Sequence, residues 1–204
     1  MKTGLVIVDA WFLDEWSDLL TKKFGENPVP KWSDEIKNNI KQFSKFLSYV
    51  CDVEREKGTT IIHSLGNKSN SFLKFAERNA SQVKMEKGDL LLGSDLLGKA
   101  IIEEKLDLVF YGGFHFGKCI HAHCEWAQKN LYLNNFKKVD NLNIVLNLSM
   151  VLPKHTFKQH IETKSVIGIP VIPEFSDYEP EPYNYYLWSM TGFESIIQTT
   201  LVKD

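Results

Sequence analysis

Apolar and polar positions change rhythm several times along the chain. Residues 5–8 (Leu5, Val6, Ile7, Val8) form an unbroken aliphatic run closed by Asp9. Such a run suits a strand buried on both faces. After Ser33 the rhythm becomes helical. Ile36, Ile40, Phe43, Leu47 and Val50 recur at spacings of four and three, which lays one apolar stripe along a helix. Ser33 is its predicted N-cap and Gly58 its stop. Residues 59–63 read as a second strand, and Ser94 as the cap of a helix bearing Leu97, Ala100 and Ile101. Residues 108–111 form another buried strand running into Gly112 and Gly113. A helix over about 117–131, a strand at 144–148 and a last strand at 166–172 complete the pattern.

Strands alternating with helices predict an α/β fold, a three-layer α/β/α sandwich on a mostly parallel, Rossmann-like sheet. At 204 residues the chain fits one domain, 1–204. Residues 174–188 differ in kind. Their prolines, acids and tyrosines (Pro180, Glu181, Pro182, Tyr183, Tyr185, Tyr186) predict a loop or arm. With Trp188 beside it, that arm suits a subunit contact, so a homo-oligomer is expected.

Charge narrows the partners. A formal net charge of -2 gives no basic footprint for nucleic acid. No apolar stretch is long enough for a bilayer span, and the first apolar run ends at Asp9 without a signal-peptide cleavage pattern. Three cysteines, Cys51, Cys119 and Cys124, form no even disulfide framework. A cytoplasmic protein acting on a small molecule is the expectation, without nucleic acid or membrane as partner.

Candidate chemistry sits at two strand exits. Cys119 follows Tyr111-Gly112-Gly113-Phe114-His115-Phe116-Gly117-Lys118, at the start of the predicted helix. Unpaired N–H groups and the helix dipole there stabilise a thiolate, and the same amides can hold the oxyanion formed when it attacks a carbonyl. Asp9 closes a buried strand, where a charge is costly unless paired or used. In a parallel sheet both residues would converge on one crevice at the carboxyl ends of the strands.

Together these segments resemble the isochorismatase-like cysteine hydrolase family. The resemblance lies in the apolar run ending at Asp9 with Trp11 and Phe12 close behind, in the spacing from Gly113 to Cys119-Ile120, and in Gly93-Ser94-Asp95-Leu96 where the family often has Gly-Thr-Asp-Leu. It covers roughly residues 4–148. It implies a triad of Asp9, Lys87 and Cys119, with Asp9 as proton acceptor and Cys119 as nucleophile on an amide-like carbonyl. The lysine is expected at the end of a strand over 83–87, with Val83, Met85 and Lys87 on one face and Lys84 as the alternative. The resemblance further implies a cis peptide at Phe114–His115, with the His115 and Cys119 amides as oxyanion hole. Trp11, Phe12 and Phe114 are the candidate pocket walls. No cofactor is implied.

Other readings remain beside this one. Cys119, His121, His123 and Cys124 form a dense cluster. On a helix, however, Cys119 with His123 and His121 with Cys124 point in different directions, so one ion cannot take all four. The nicotinamidase branch of the family carries an Asp-x-His metal motif. Here the second strand exits through Ile62-His63-Ser64-Leu65-Gly66, without that aspartate. The isochorismatase branch proper cleaves a vinyl ether and often lacks the cysteine, so Cys119 favours C–N hydrolysis. Gly112, Gly113 and Gly117 do not make a dinucleotide fingerprint. A catalytically inactive oligomeric scaffold on the same fold is the non-enzyme alternative.

Overall fold

A computed structural model describes residues 1–10, 33–65, 81–114, 116, 119–133, 142–150 and 183–196. Among the described residues seven strands build one sheet in the order β3-β2-β1-β4-β5-β6-β7. They are β1 (Thr3–Val8), β2 (Thr60–Leu65), β3 (Leu90–Gly93), β4 (Leu108–Phe114), β5 (Asn143–Met150), β6 (Asn184–Ser189) and β7 (Gly192–Ser195). The first six run parallel, and β7 folds back antiparallel on β6.

Among the described residues three α-helices cover the two faces: α1 (Asp34–Glu56), α2 (Leu97–Glu103) and α3 (Cys119–Leu133). Alternation along β1 sorts the core. Leu5 and Ile7 face α1, joining Ile40, Leu47, Val50 and Phe110. Val6 and Val8 face α2 and α3, joining Leu97, Ile101, Ile120 and Leu131. Each of these buried apolar side chains stabilises the fold by about 1.5–3 kcal/mol before the cost of ordering it. Gly98 lets the two helices of that face meet closely. A Cβ there would lie 2.7 Å from Asn130 Cβ, and the Asn130 amide donates to the Asp95 carbonyl at 3.2 Å.

The apolar stripe of α1 packs as expected. Ser33 accepts from the Ile36 amide at 3.4 Å, and Gly58 follows the helix in a left-handed conformation, φ 86°. Among the described residues no helix is long and apolar enough to cross a membrane.

Three expectations need correction. Residues 83–87 form no strand; the strand is β3, from Leu90. Segment 82–84 is instead tied to its neighbours, with the Gln82 amide donating to the Ala10 carbonyl at 2.7 Å and the Lys84 amide to Ser48 Oγ at 2.9 Å. Ser94 opens a 3-10 turn directly out of β3 with Gly93 in the cap position, and makes no side-chain cap. The second half of the expected arm is strand β6, parallel to β5. Trp188 packs inward from it, its indole N–H donating to Glu54 Oε1 at 2.9 Å. The predicted strand at 166–172 lies outside the described residues.

Candidate active site

Strand order reverses beside β1: the chain builds outward through β2 and β3, then returns to lay β4 on β1's other edge. Side chains at the carboxyl ends of β1 and β4 flank the crevice that such a reversal opens. Val8 pairs with Ser64 of β2 on one side and Gly113 of β4 on the other. Asp9 therefore stands at the mouth of that crevice, one residue beyond both pairs.

Asp9 is held there by its backbone. Its amide donates to the Ser64 carbonyl at 2.9 Å, and its φ of 54° turns the chain out of the strand. Aspartate tolerates the left-handed region better than most residues other than glycine. The side chain is 9% exposed, at the boundary between core and crevice.

β4 approaches β1 closely at this end because Gly113 has no side chain. Its φ is 117°, and a Cβ would lie 2.4 Å from the Val8 carbonyl oxygen. Beyond β4, the Phe116 amide donates to the Met150 carbonyl at 3.0 Å, which ties Phe116 to β5. Cys119 opens the first turn of α3, the end at which amides and dipole favour a thiolate. Cys119 is half-buried, whereas Cys51 and Cys124 are buried. Burial pushes the Cys51 thiol up to about 12 despite the nearby Arg55, and pushes Cys124 up as well.

The structure thus brings the Asp9 and Cys119 segments to one end of the sheet and leaves Lys87 elsewhere. Lys87 is exposed in the turn before β3. That turn is closed by the Asp89 amide donating to the Glu86 carbonyl at 3.0 Å. It lies on the amino-terminal side of the sheet, since Asp89 receives Arg55 Nη2 at 2.6 Å from the last turn of α1, where the chain enters β2. A cavity of about 270 Å³ on that side is lined by Arg55, Thr59, Thr60, Gly88, Asp89 and Glu104. Lys84 is also exposed and pairs with Glu86 at 2.7 Å and Asp52 at 3.9 Å.

Phe114 is fully buried and meets Phe43 edge to face at 5.6 Å. It belongs to the core on the α1 face rather than to an open pocket wall. His63 faces the same way, its Nε2 3.3 Å from Asp89 Oδ2. Trp11, Phe12, His115 and the Phe114–His115 peptide bond lie outside the described residues.

The helix cluster separates as its spacing implied. His121 is clasped between the rings of Phe116 and Tyr183, with centroids at 5.0 and 4.7 Å. The Tyr183 hydroxyl donates to the buried Glu125, whose own pKa burial raises. His123 turns to the sheet instead, where its Nδ1 meets Ser64 Oγ at 2.9 Å. Burial lowers the His123 pKa, and the Asp9 carboxylate acts in the opposite sense. Ser64 and His123 are the polar residues of this end that sequence reasoning missed as partners. The available signal was a hydroxyl at a strand exit and an imidazole four residues after the cysteine.

No protein-family model and no curated protein matches the chain. Similar solved structures include an isochorismatase family protein, 13% identical with TM-score 0.47, covering 79% of this chain and 91% of its own. An isochorismatase-like hydrolase from Alkaliphilus metalliredigens is 10% identical with TM-score 0.45, over 82% and 92%. N-carbamoylsarcosine amidase from Thermoplasma acidophilum is 12% identical with TM-score 0.39, over 80% and 92%. With TM-scores below 0.5, these likenesses leave the functional reading to the site's own geometry.

Proposed function

We propose that the chain is a cysteine-dependent hydrolase of a small amide-like substrate, working through a thioester on Cys119. The observation that carries this reading is the placement of Asp9 and the first turn of α3 at the same strand ends, beside the reversal between β1 and β4. A carboxylate and a thiol there have the two roles that acyl transfer needs. The Cys119 thiol gives up its proton towards Asp9, and the sulfur bonds to the acyl carbon. Amides at the start of α3 take the developing oxyanion. The C–N bond breaks as the leaving nitrogen takes the proton. Water then adds to the thioester, the C–S bond breaks, and the acid departs with the thiol restored.

A catalytically silent scaffold is the second reading, favoured by the position of Lys87 away from the crevice. The deciding experiment is the pH dependence of iodoacetamide labelling, resolved by peptide mass spectrometry, in wild type and Asp9→Asn. The hydrolase reading expects fast labelling of Cys119 near neutral pH, slowed by Asp9→Asn, and justifies an amide screen with Cys119→Ser as blank. Slow labelling of Cys119, unchanged in the variant, would sink it and leave the scaffold.

A further inference from the structure

Resting on the hydrolase reading, we propose that His123, oriented by the Ser64 hydroxyl, is the positioning residue that stands beside Asp9 and Cys119 in place of Lys87. One residue, Ser64, ties the arrangement together. Its carbonyl receives the Asp9 amide at 2.9 Å, and its hydroxyl lies 2.9 Å from His123 Nδ1. His123 comes one helical turn after Cys119. Side chains four apart share a helix face, and each leans towards the N-terminus, so the imidazole leans over the turn that carries the thiol.

The surroundings make this pair unusual. His123 is 1% exposed and Ser64 is buried, between a sheet face and a helix otherwise joined by Val6, Val8, Ile62, Ile120 and Cys124. An imidazole and a hydroxyl there cost desolvation that two apolar side chains would avoid. Among the described residues, Ser64 of β2 meets His123 directly, the Asp9 carboxylate at the end of β1 acts on it electrostatically, Cys119 stands one turn earlier on its own helix, and Trp126 lies beside it. Trp126 stacks on it at 6.0 Å. The two lysines that the resemblance offered lie elsewhere. Lys84 holds carboxylates of its own, and Lys87 sits on the turn at the amino-terminal side.

In this place the imidazole shares with Asp9 the proton that leaves Cys119. The thiolate then faces an imidazolium rather than an ammonium, and Asp9 offsets the positive charge. Burial lowers the His123 pKa and the Asp9 carboxylate opposes that shift, so the proton's stay on the imidazole depends on the carboxylate beside it. The proton returns to the leaving nitrogen, so the cycle needs no further reactant than water.

The test is the rate of iodoacetamide alkylation of Cys119 against pH in wild type, His123→Asn, Ser64→Ala, Lys87→Ala and Asp9→Asn, with thermal melts to establish folding. Wild type is expected to reach half-maximal rate below the free-thiol value of about 8.5. His123→Asn should cut the rate at neutral pH roughly tenfold or more and move the profile upward, since a nearby opposite charge shifts a pKa by about 1–3. Ser64→Ala keeps the imidazole but frees its orientation, and should move the profile the same way by less. It carries the test if His123→Asn does not fold. Lys87→Ala should match wild type. A slow Lys87→Ala beside a wild-type Ser64→Ala and His123→Asn overturns this inference while leaving the hydrolase reading intact. An ordinary thiol profile in wild type, untouched by Asp9→Asn, removes the hydrolase reading and the inference with it.

Discussion

Gly113 is the position at which one methyl group would force β4 away from β1. Its φ of 117° lies where L side chains rarely go, and a Cβ would stand 2.4 Å from the Val8 oxygen and 2.5 Å from its nitrogen. Those atoms belong to the backbone of a central strand and have no rotamer to escape through. Strain in such a region costs about 1–3 kcal/mol, and forcing an extra carbon into a packed core costs about 1–3 kcal/mol more. Gly113→Ala should therefore lose about 4 kcal/mol. At about 2–4 °C per kcal/mol for a chain of this size, its melting temperature falls by roughly 8–16 °C. Gly58 supplies the control, with φ 86° and nothing within 4 Å of its built Cβ. Gly58→Ala meets the strain alone and should lose about 1 kcal/mol. Differential scanning calorimetry on both variants separates the two costs. Equal falls in melting temperature would refute the close approach of β4 to β1. Because Val8 precedes Asp9, Gly113→Ala should also alter Cys119 alkylation in whatever protein remains folded, and Gly58→Ala should not.

Three further outcomes follow from the packing. Arg55 forks onto the buried Asp89 through Nε at 2.8 Å and Nη2 at 2.6 Å, so Asp89→Asn should cost about 3 kcal/mol in urea titration. Burial alone would raise the Asp89 pKa. Hydrogen bonds from His63, Arg55 and the Glu86 amide, with the Arg55 charge, hold it well below the usual carboxylate range. Asp89 thus contributes stability above the ordinary aspartate value of about 3.9 that is lost as pH falls below it, and the wild type's advantage over Asp89→Asn should shrink there. Trp188→Phe removes the indole donor to Glu54 while Lys57 and Thr59 keep theirs, each at 2.8 Å, so a loss of about 1 kcal/mol is expected by thermal melt. Native alkylation at neutral pH should modify Cys119 well before Cys51 or Cys124, and equal rates in the folded protein would contradict their burial.

The sequence made legible those parts of the molecule whose pattern is local. Residues 5–8 read as a buried strand because β1 is covered on both faces, and Ser33, the stripe of α1 and Gly58 carry that helix's start, side and end in consecutive chemistry. Local pattern misled where a tertiary partner decided the matter. The alternation of Val83, Met85 and Lys87 looks like a strand, but that segment is held by α1 through Ser48 and by Ala10, and pairing falls instead to Leu90-Leu91-Leu92. The prolines of 174–188 hid β6, whose strand character comes from lying beside β5. The candidate site divides along the same line. Asp9 and the start of α3 were readable because a strand's last residue and a helix's first residue occupy known places in a parallel sheet. The basic partner was not, because its place depends on how far the chain has travelled back across the sheet. Lys87 precedes a strand that starts level with Val6, so the turn leaves it on the amino-terminal side. His123 is 59 residues from Ser64, and the two meet because β2 and α3 are both laid against the same strand end. A resemblance transfers residue types at motif spacings. A side chain held across the sheet is placed by register, and at this strand end register sets His123, not Lys87, against Ser64.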